Sequence, residues 1–158
     1  MANKSELSEE FTGGCACGAV RYVWRPTMRF KLYACHCTDC HKRSGSAFTL
    51  QQTVLLQDLT VTGELVEGET ANPSGARVQQ FSCRKCLSRI HGINGARPGI
   101  AIVRAGTFDH SADIIPDVHL WTQSKLSWII IPADAPSLNT QPDSPEGWSS
   151  LLMPKASS

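Results

Sequence analysis

All seven cysteines of this chain fall into three tight groups: Cys15-Ala16-Cys17, Cys35-His36-Cys37-Thr38-Asp39-Cys40 and Cys83-Arg84-Lys85-Cys86. Gaps of one and two residues suit metal chelation better than disulfide pairing. A tetrahedral zinc holds thiolates at about 2.3 Å, a spacing that short loops can satisfy. A disulfide across so few residues closes a small, strained ring. An i, i+2 pair on an extended strand presents both side chains on one face, about 6.6 Å apart along the backbone. Four plus three is the arithmetic of one closed and one open zinc site.

The glycines of Gly13-Gly14-Cys15-Ala16-Cys17-Gly18 let the backbone turn tightly and aim amides at the thiolates. Such a pair needs two further ligands, and Cys83 and Cys86 supply them. The result is a closed, structural four-thiolate site, which contributes folding free energy directly. Cys35, Cys37 and Cys40 offer three thiolates within six residues. Their fourth position is left for water, a substrate or another side chain. Three thiolates leave zinc net negative, a weaker Lewis acid than zinc on three neutral imidazoles. Such a centre generates hydroxide poorly but can hold a substrate thiol as its thiolate. Lys42 and Arg43 follow the cluster directly and can offset its charge or meet a substrate carboxylate. His36, His41 and His91 read as surface or hydrogen-bonded histidines rather than ligands. Trp24, Trp121 and Trp128 read as core packing.

The elements that carry these groups follow from the pattern of the chain. Its 158 residues suffice for one domain with a real core. Apolar residues at 41% and charged residues at 18% are ordinary for a soluble globular protein. A net charge of +1 gives no electrostatic footprint for nucleic acid or an anionic membrane. The polar, acidic start lacks the apolar core of a signal peptide. No apolar run approaches the ~18 residues that span a bilayer. A reducing cytoplasm is therefore the expected setting, where clustered thiols bind metal.

Short alternating runs separated by turn signals predict strands over residues 19–24, 30–34, 47–56, 59–62, 77–81, 118–121 and 128–131. Residues 90–93 and 100–104 read as a hairpin with a long loop turning at Asn94-Gly95. A helical turn is expected over 38–44, and no longer window keeps helical spacing. The class is mainly β. Residues 1–10 read as a flexible tail, 11–131 as the zinc-binding domain and 132–158 as an irregular, proline-containing extension. Residues 64–75 are the most loop-like interior stretch.

With these residues assembled, the chain resembles the glutathione-dependent formaldehyde-activating family, also called centromere-protein-V-like. The likeness rests on the stretch from Gly13 to Tyr22, on Cys35-His36-Cys37-Thr38-Asp39-Cys40-His41-Lys42-Arg43-Ser44-Gly45 continuing to Phe48, and on Arg77 through Cys86. Ala105-Gly106-Thr107-Phe108-Asp109 and the region from Pro116 to Trp128 extend it, so that residues 11–131 are covered. The resemblance implies a β-tent of stacked antiparallel sheets with zinc-binding cysteine knuckles. It implies a structural zinc on Cys15, Cys17, Cys83 and Cys86 and a catalytic zinc on Cys35, Cys37 and Cys40. The implied activity is that of a carbon–sulfur lyase joining glutathione, or a related thiol, to formaldehyde or another small electrophile. Lys42, Arg43 and Lys125 are then the candidates to hold glutathione's carboxylates. A non-catalytic zinc-stabilised binding module is the alternative; it would use the closed site alone, so metal stoichiometry separates the two. Exposed edge strands make a homodimer an expectation. One departure stands out: Leu87 occupies the position after the second cysteine pair, where the family usually has glycine. Knuckle turns often hold that residue in a left-handed conformation, which costs a residue with a Cβ about 1–2 kcal/mol.

Overall fold

A computed structural model describes residues 9–72 and 74–154; the expected tail lies outside the described residues as far as residue 8. The protein is mainly β, with ten strands in two sheets and two short α-helices among the described residues. None of the helices is long and apolar enough to cross a membrane. The chain forms two compact units, each assembled from two segments.

Among the described residues, the first unit comprises the chain up to Met28 together with Thr53–Asp113. Its strands begin with β1 (Phe11–Gly14) and β2 (Arg21–Trp24). Counting in chain order, β3 is Leu32–Cys35, β4 Thr49–Leu55, β5 Leu59–Thr62, β6 Leu65–Ala71, β7 Arg77–Cys83, β8 Arg89–Asn94, β9 Ile100–Arg104 and β10 Val118–Leu120. In this unit β1, β2 and β5 make an antiparallel sheet in the order β1-β2-β5. β6, β7, β8 and β9 form an antiparallel meander. Alternation in β2 turns Tyr22 and Trp24 inward, where they are fully buried. Phe11 lies 4.9 Å from the Trp24 ring, and Phe108 meets Tyr22 edge-on at 5.7 Å. Gly13 is required by this packing: a Cβ there would collide with the Thr107 carbonyl and the Tyr22 hydroxyl. Asp109 clamps the same region, accepting from Arg21 Nη1 at 2.9 Å and from Thr12 Oγ1 at 2.6 Å.

The second unit comprises, among the described residues, Arg29–Gln52 and the chain from Ile114 onward. Here β3 pairs antiparallel with the first half of β4, Cys35 opposite Thr49 and Tyr33 opposite Gln51. On its other side β3 pairs with β10, and this pair is parallel. The expected antiparallel pairing holds in the other ladders named here, and this one pair departs from it. No tight hairpin joins β3 to β10, so nothing in the connection forces them antiparallel. All four residues of β3 are buried. Helix α1 (Thr38–Ser44) follows directly and ends on Gly45, whose φ of 67° is the left-handed cap that glycine adopts freely.

Three expectations fail on local structure. Residues 64–75 are not one loop: β6 occupies most of them, paired to β7 over its whole length. Only the turn beyond it matches the composition signal, with Asn72 Oδ1 accepting from the Ser74 and Ala76 amides. Residues 128–131 form no strand; Trp128 is 70% and Ile130 90% exposed. β-branched residues without a ladder partner do not make a strand, and Trp128 is no core residue. The extension from 132 is not wholly irregular, because it carries helix α2 (Pro145–Leu152). Ser144 caps α2 by accepting from the Gly147 amide at 3.0 Å, and Pro145 opens its first turn. Trp148, Leu151 and Leu152, spaced i, i+3 and i+4, pack against Tyr33, Val118, Leu120 and the cysteines of the second unit.

His91 of β8 gives the first unit a pH dependence. It is buried, stacks on Phe81 at 4.6 Å, and its Nδ1 has no partner among the described residues. Burial pushes its pKa down to about 4, against about 6.5 in an unfolded chain. The unfolded state then binds the proton more tightly, so this contribution is full above about pH 6.5 and is lost as pH falls through the folded value. The urea midpoint of the native sequence should fall more between pH 7 and 5 than that of a His91→Leu protein. Equal falls would contradict this role.

Candidate metal centres

The first cysteine group is built by two turns. β1 delivers Cys15, and the turn through Gly18 (φ 80°) brings Cys17 back, with the Cys15 amide on the Val20 carbonyl at 3.0 Å. The two sulfurs approach to 3.5 Å. This closeness comes from the turn rather than from an extended i, i+2 pair. β7 ends at Cys83, and its knuckle returns Cys86. The sulfurs of Cys15, Cys17, Cys83 and Cys86 all lie within 4.8 Å of one another, a set that could hold a metal ion. Donors converge on them: the Val20 amide reaches Cys15 Sγ at 3.2 Å, the Cys86 amide reaches Cys83 Sγ at 3.5 Å, and Ser88 Oγ lies 3.2 Å from Cys86 Sγ. Ser88 also accepts from the Ala16 amide at 3.1 Å, tying the two turns together. The Ser88 hydroxyl and amide, helped by the Cys17 amide, pull the Cys86 pKa down to about 5.

Leu87 adopts the left-handed conformation that the knuckle requires, with φ 64° and its amide on the Cys83 carbonyl at 2.9 Å. The turn therefore keeps its form despite the side chain, and Cys86 keeps its place in the set. With 68% of Leu87 exposed, the side chain returns little burial energy against that strain. Leu87→Gly should stabilise the protein by about 1 kcal/mol, read as a thermal midpoint raised by about 3 °C. An unchanged or lowered midpoint would show that the left-handed position costs nothing here.

The second group sits where β3 becomes α1. Cys35 ends the strand and Cys37 is the helix N-cap, its sulfur accepting from the Cys40 amide at 3.3 Å. Cys40 lies in the first turns of the helix, and all three cysteines are buried. Their sulfurs lie within 4.8 Å of one another. No His, Cys, Asp or Glu joins them in that range among the described residues. The neighbouring sulfurs of Cys37 and Cys40, and then burial, drive the Cys35 pKa far above the ordinary thiol range. Contact with Cys35 favours the Cys37 thiolate, but Cys40 and burial outweigh it and the Cys37 pKa rises too. Three such thiols cannot be charged together unless a cation joins them. The donor set fits a soft divalent ion such as zinc.

His36 lies between two of these cysteines yet points elsewhere. It is wholly buried, and its Nε2 lies 3.0 Å from His119 Nδ1. Burial, then the proximity of His119, His41 and Lys125, lowers its pKa to about 4, so it is neutral at pH 7. Neither His41 nor His91 joins a cysteine set. Lys42 and Arg43 occupy the exposed last turn of α1. Lys125 donates from Nζ to the Ile129 carbonyl at 3.1 Å. Sequence reading missed Thr49 and Gln51, which both reach Cys40 Sγ, at 3.2 and 3.8 Å. The available signal was a hydroxyl and an amide at i, i+2 on the strand that follows the cysteines. It also missed Trp148 and Leu151, which pack against the buried cluster that contains these cysteines.

Fold and geometry together define a mainly β protein with two cysteine-lined centres suited to metal. The chain belongs to the glutathione-dependent formaldehyde-activating enzyme family, whose sequence model matches residues 10–124. That family is associated with glutathione-dependent formaldehyde activation. No curated protein matches the chain. Among solved structures it is similar to a Rhodobacter sphaeroides protein that is 22% identical, with a TM-score of 0.48 over 63% of this chain and 88% of that one.

Proposed function

We propose that this protein is a zinc-dependent enzyme of the carbon–sulfur lyase type that joins glutathione, or a related thiol, to formaldehyde or another small electrophile. The observation that carries this reading is the set of three buried sulfurs without a fourth protein ligand among the described residues. Cys35, Cys37 and Cys40 are the ligands of the catalytic zinc, and Cys15, Cys17, Cys83 and Cys86 those of a structural one. Bound at the three-sulfur centre, zinc would supply a Lewis-acidic position able to stabilise a substrate thiol as its thiolate.

The chain's own residues shape the rest. Burial of the three cysteines keeps bulk water from them, which strengthens electrostatic attraction at the centre. Lys42 and Arg43 offer exposed cations for the carboxylates of glutathione, and Lys125 adds a positive charge on the side of His36. In the reaction the thiol sulfur forms a bond to the carbonyl carbon, the carbon–oxygen π bond breaks, and the proton lost from sulfur ends on oxygen. The product is an S-hydroxymethyl thioether. The reading places the protein in the cytoplasm, where thiols stay reduced.

Exchange spectroscopy with carbon-13 formaldehyde and glutathione tests it. The zinc-loaded protein should speed the interconversion of free formaldehyde and S-hydroxymethylglutathione, and Cys37→Ser should abolish the acceleration while the protein stays folded. An exchange rate equal to the uncatalysed one would overturn the proposal.

A further inference from the structure

We propose that Tyr33, Gln51 and Thr49 form a hydrogen-bond relay onto the Cys40 sulfur that tempers its donation to a bound metal. The proposal deepens the catalytic reading of the Cys35, Cys37 and Cys40 centre and rests on it. In the β3–β4 register Tyr33 faces Gln51 and Cys35 faces Thr49. The i, i+2 spacing puts all four side chains on one face of the ladder. The Tyr33 hydroxyl donates to Gln51 Oε1 at 3.3 Å. With Oε1 accepting there, the NH₂ end of the amide is left to donate. Gln51 Nε2 then donates to Thr49 Oγ1 at 3.0 Å and reaches Cys40 Sγ at 3.8 Å. Thr49 has one hydroxyl hydrogen, and it goes to Cys40 Sγ at 3.2 Å.

A hydroxyl that accepts one bond while donating another is polarised and donates more strongly. A donor aimed at a sulfur draws on the lone pairs that would bind a metal, so a metal held there would be more electrophilic toward its fourth partner. This answers the drawback of a three-thiolate centre, whose negative charge blunts its Lewis acidity. Cys37 differs, because its donor is the Cys40 backbone amide. The relay thus singles out one of three chemically identical ligands. Thr49, Gln51 and Tyr33 are positioning residues that act through Cys40.

Cobalt(II) loaded into the full-length protein reports sulfur donation directly. A difference spectrum against Cys40→Ser isolates the sulfur-to-cobalt charge-transfer band of this centre. Thr49→Val, which removes the hydroxyl at nearly constant volume, should move that band to lower energy, the direction of a stronger sulfur donor, with two cobalt ions still bound. Thr49→Ser should restore the band, and Tyr33→Phe should shift it less, in the same direction. Gln51→Leu reads the same band should Thr49→Val fail to fold. Two bound cobalt ions with a band that stays or moves to higher energy in the Thr49 and Gln51 variants would overturn the relay alone. Cys40→Ser protein that binds as much cobalt as the native sequence would instead remove the metal reading, and the relay with it.

Discussion

Charge crowding among thiols is the constraint on which this structure depends. Seven sulfurs are gathered into two sets in which every sulfur lies within 4.8 Å of its fellows. Thiolates so close repel one another, and burial adds the cost of removing their charge from water. The rise in the Cys35 and Cys37 pKa values expresses that cost. A divalent cation converts the same crowding into coordination, so each set is a liability without metal and a source of stability with it.

The two sets meet the constraint differently. Around Cys15, Cys17, Cys83 and Cys86 the backbone itself supplies donors, from Val20 and Cys86, with Ser88 linking the two turns. The shape is demanding enough to hold Leu87 in a left-handed conformation. Around Cys35, Cys37 and Cys40 the strand-to-helix junction fixes the sulfurs, and side chains of β4 complete the surroundings. One set is complete in its four sulfurs. The other has three and is buried on the strength of packing from β3, β10 and the C-terminal helix.

The grouping of the cysteines into two sets was legible because one- and two-residue gaps leave their sulfurs little freedom. The strands with clear alternation, such as β2, β7 and the β8–β9 hairpin, were legible for the same kind of reason. Misreadings arose where the decisive partner lies outside the segment itself. β6 carries two Glu and a Gly, and only its pairing with β7 makes it a strand. Residues 128–131 carry strand-forming side chains but meet no ladder, so they stay exposed. The cap of α2 was present in Ser144 and Pro145, yet its apolar stripe has meaning only beside Tyr33 and Leu120. Thr49 and Gln51 looked like ordinary strand residues until the register placed them against Cys40.

If the two cysteine sets are separate metal centres, four sulfurs in one and three in the other, zinc must bind twice. Native mass spectrometry of protein purified with zinc should then find two zinc ions per chain. A folded protein carrying Cys35→Ser, Cys37→Ser and Cys40→Ser together should hold one. A single zinc in both proteins would rule out two centres.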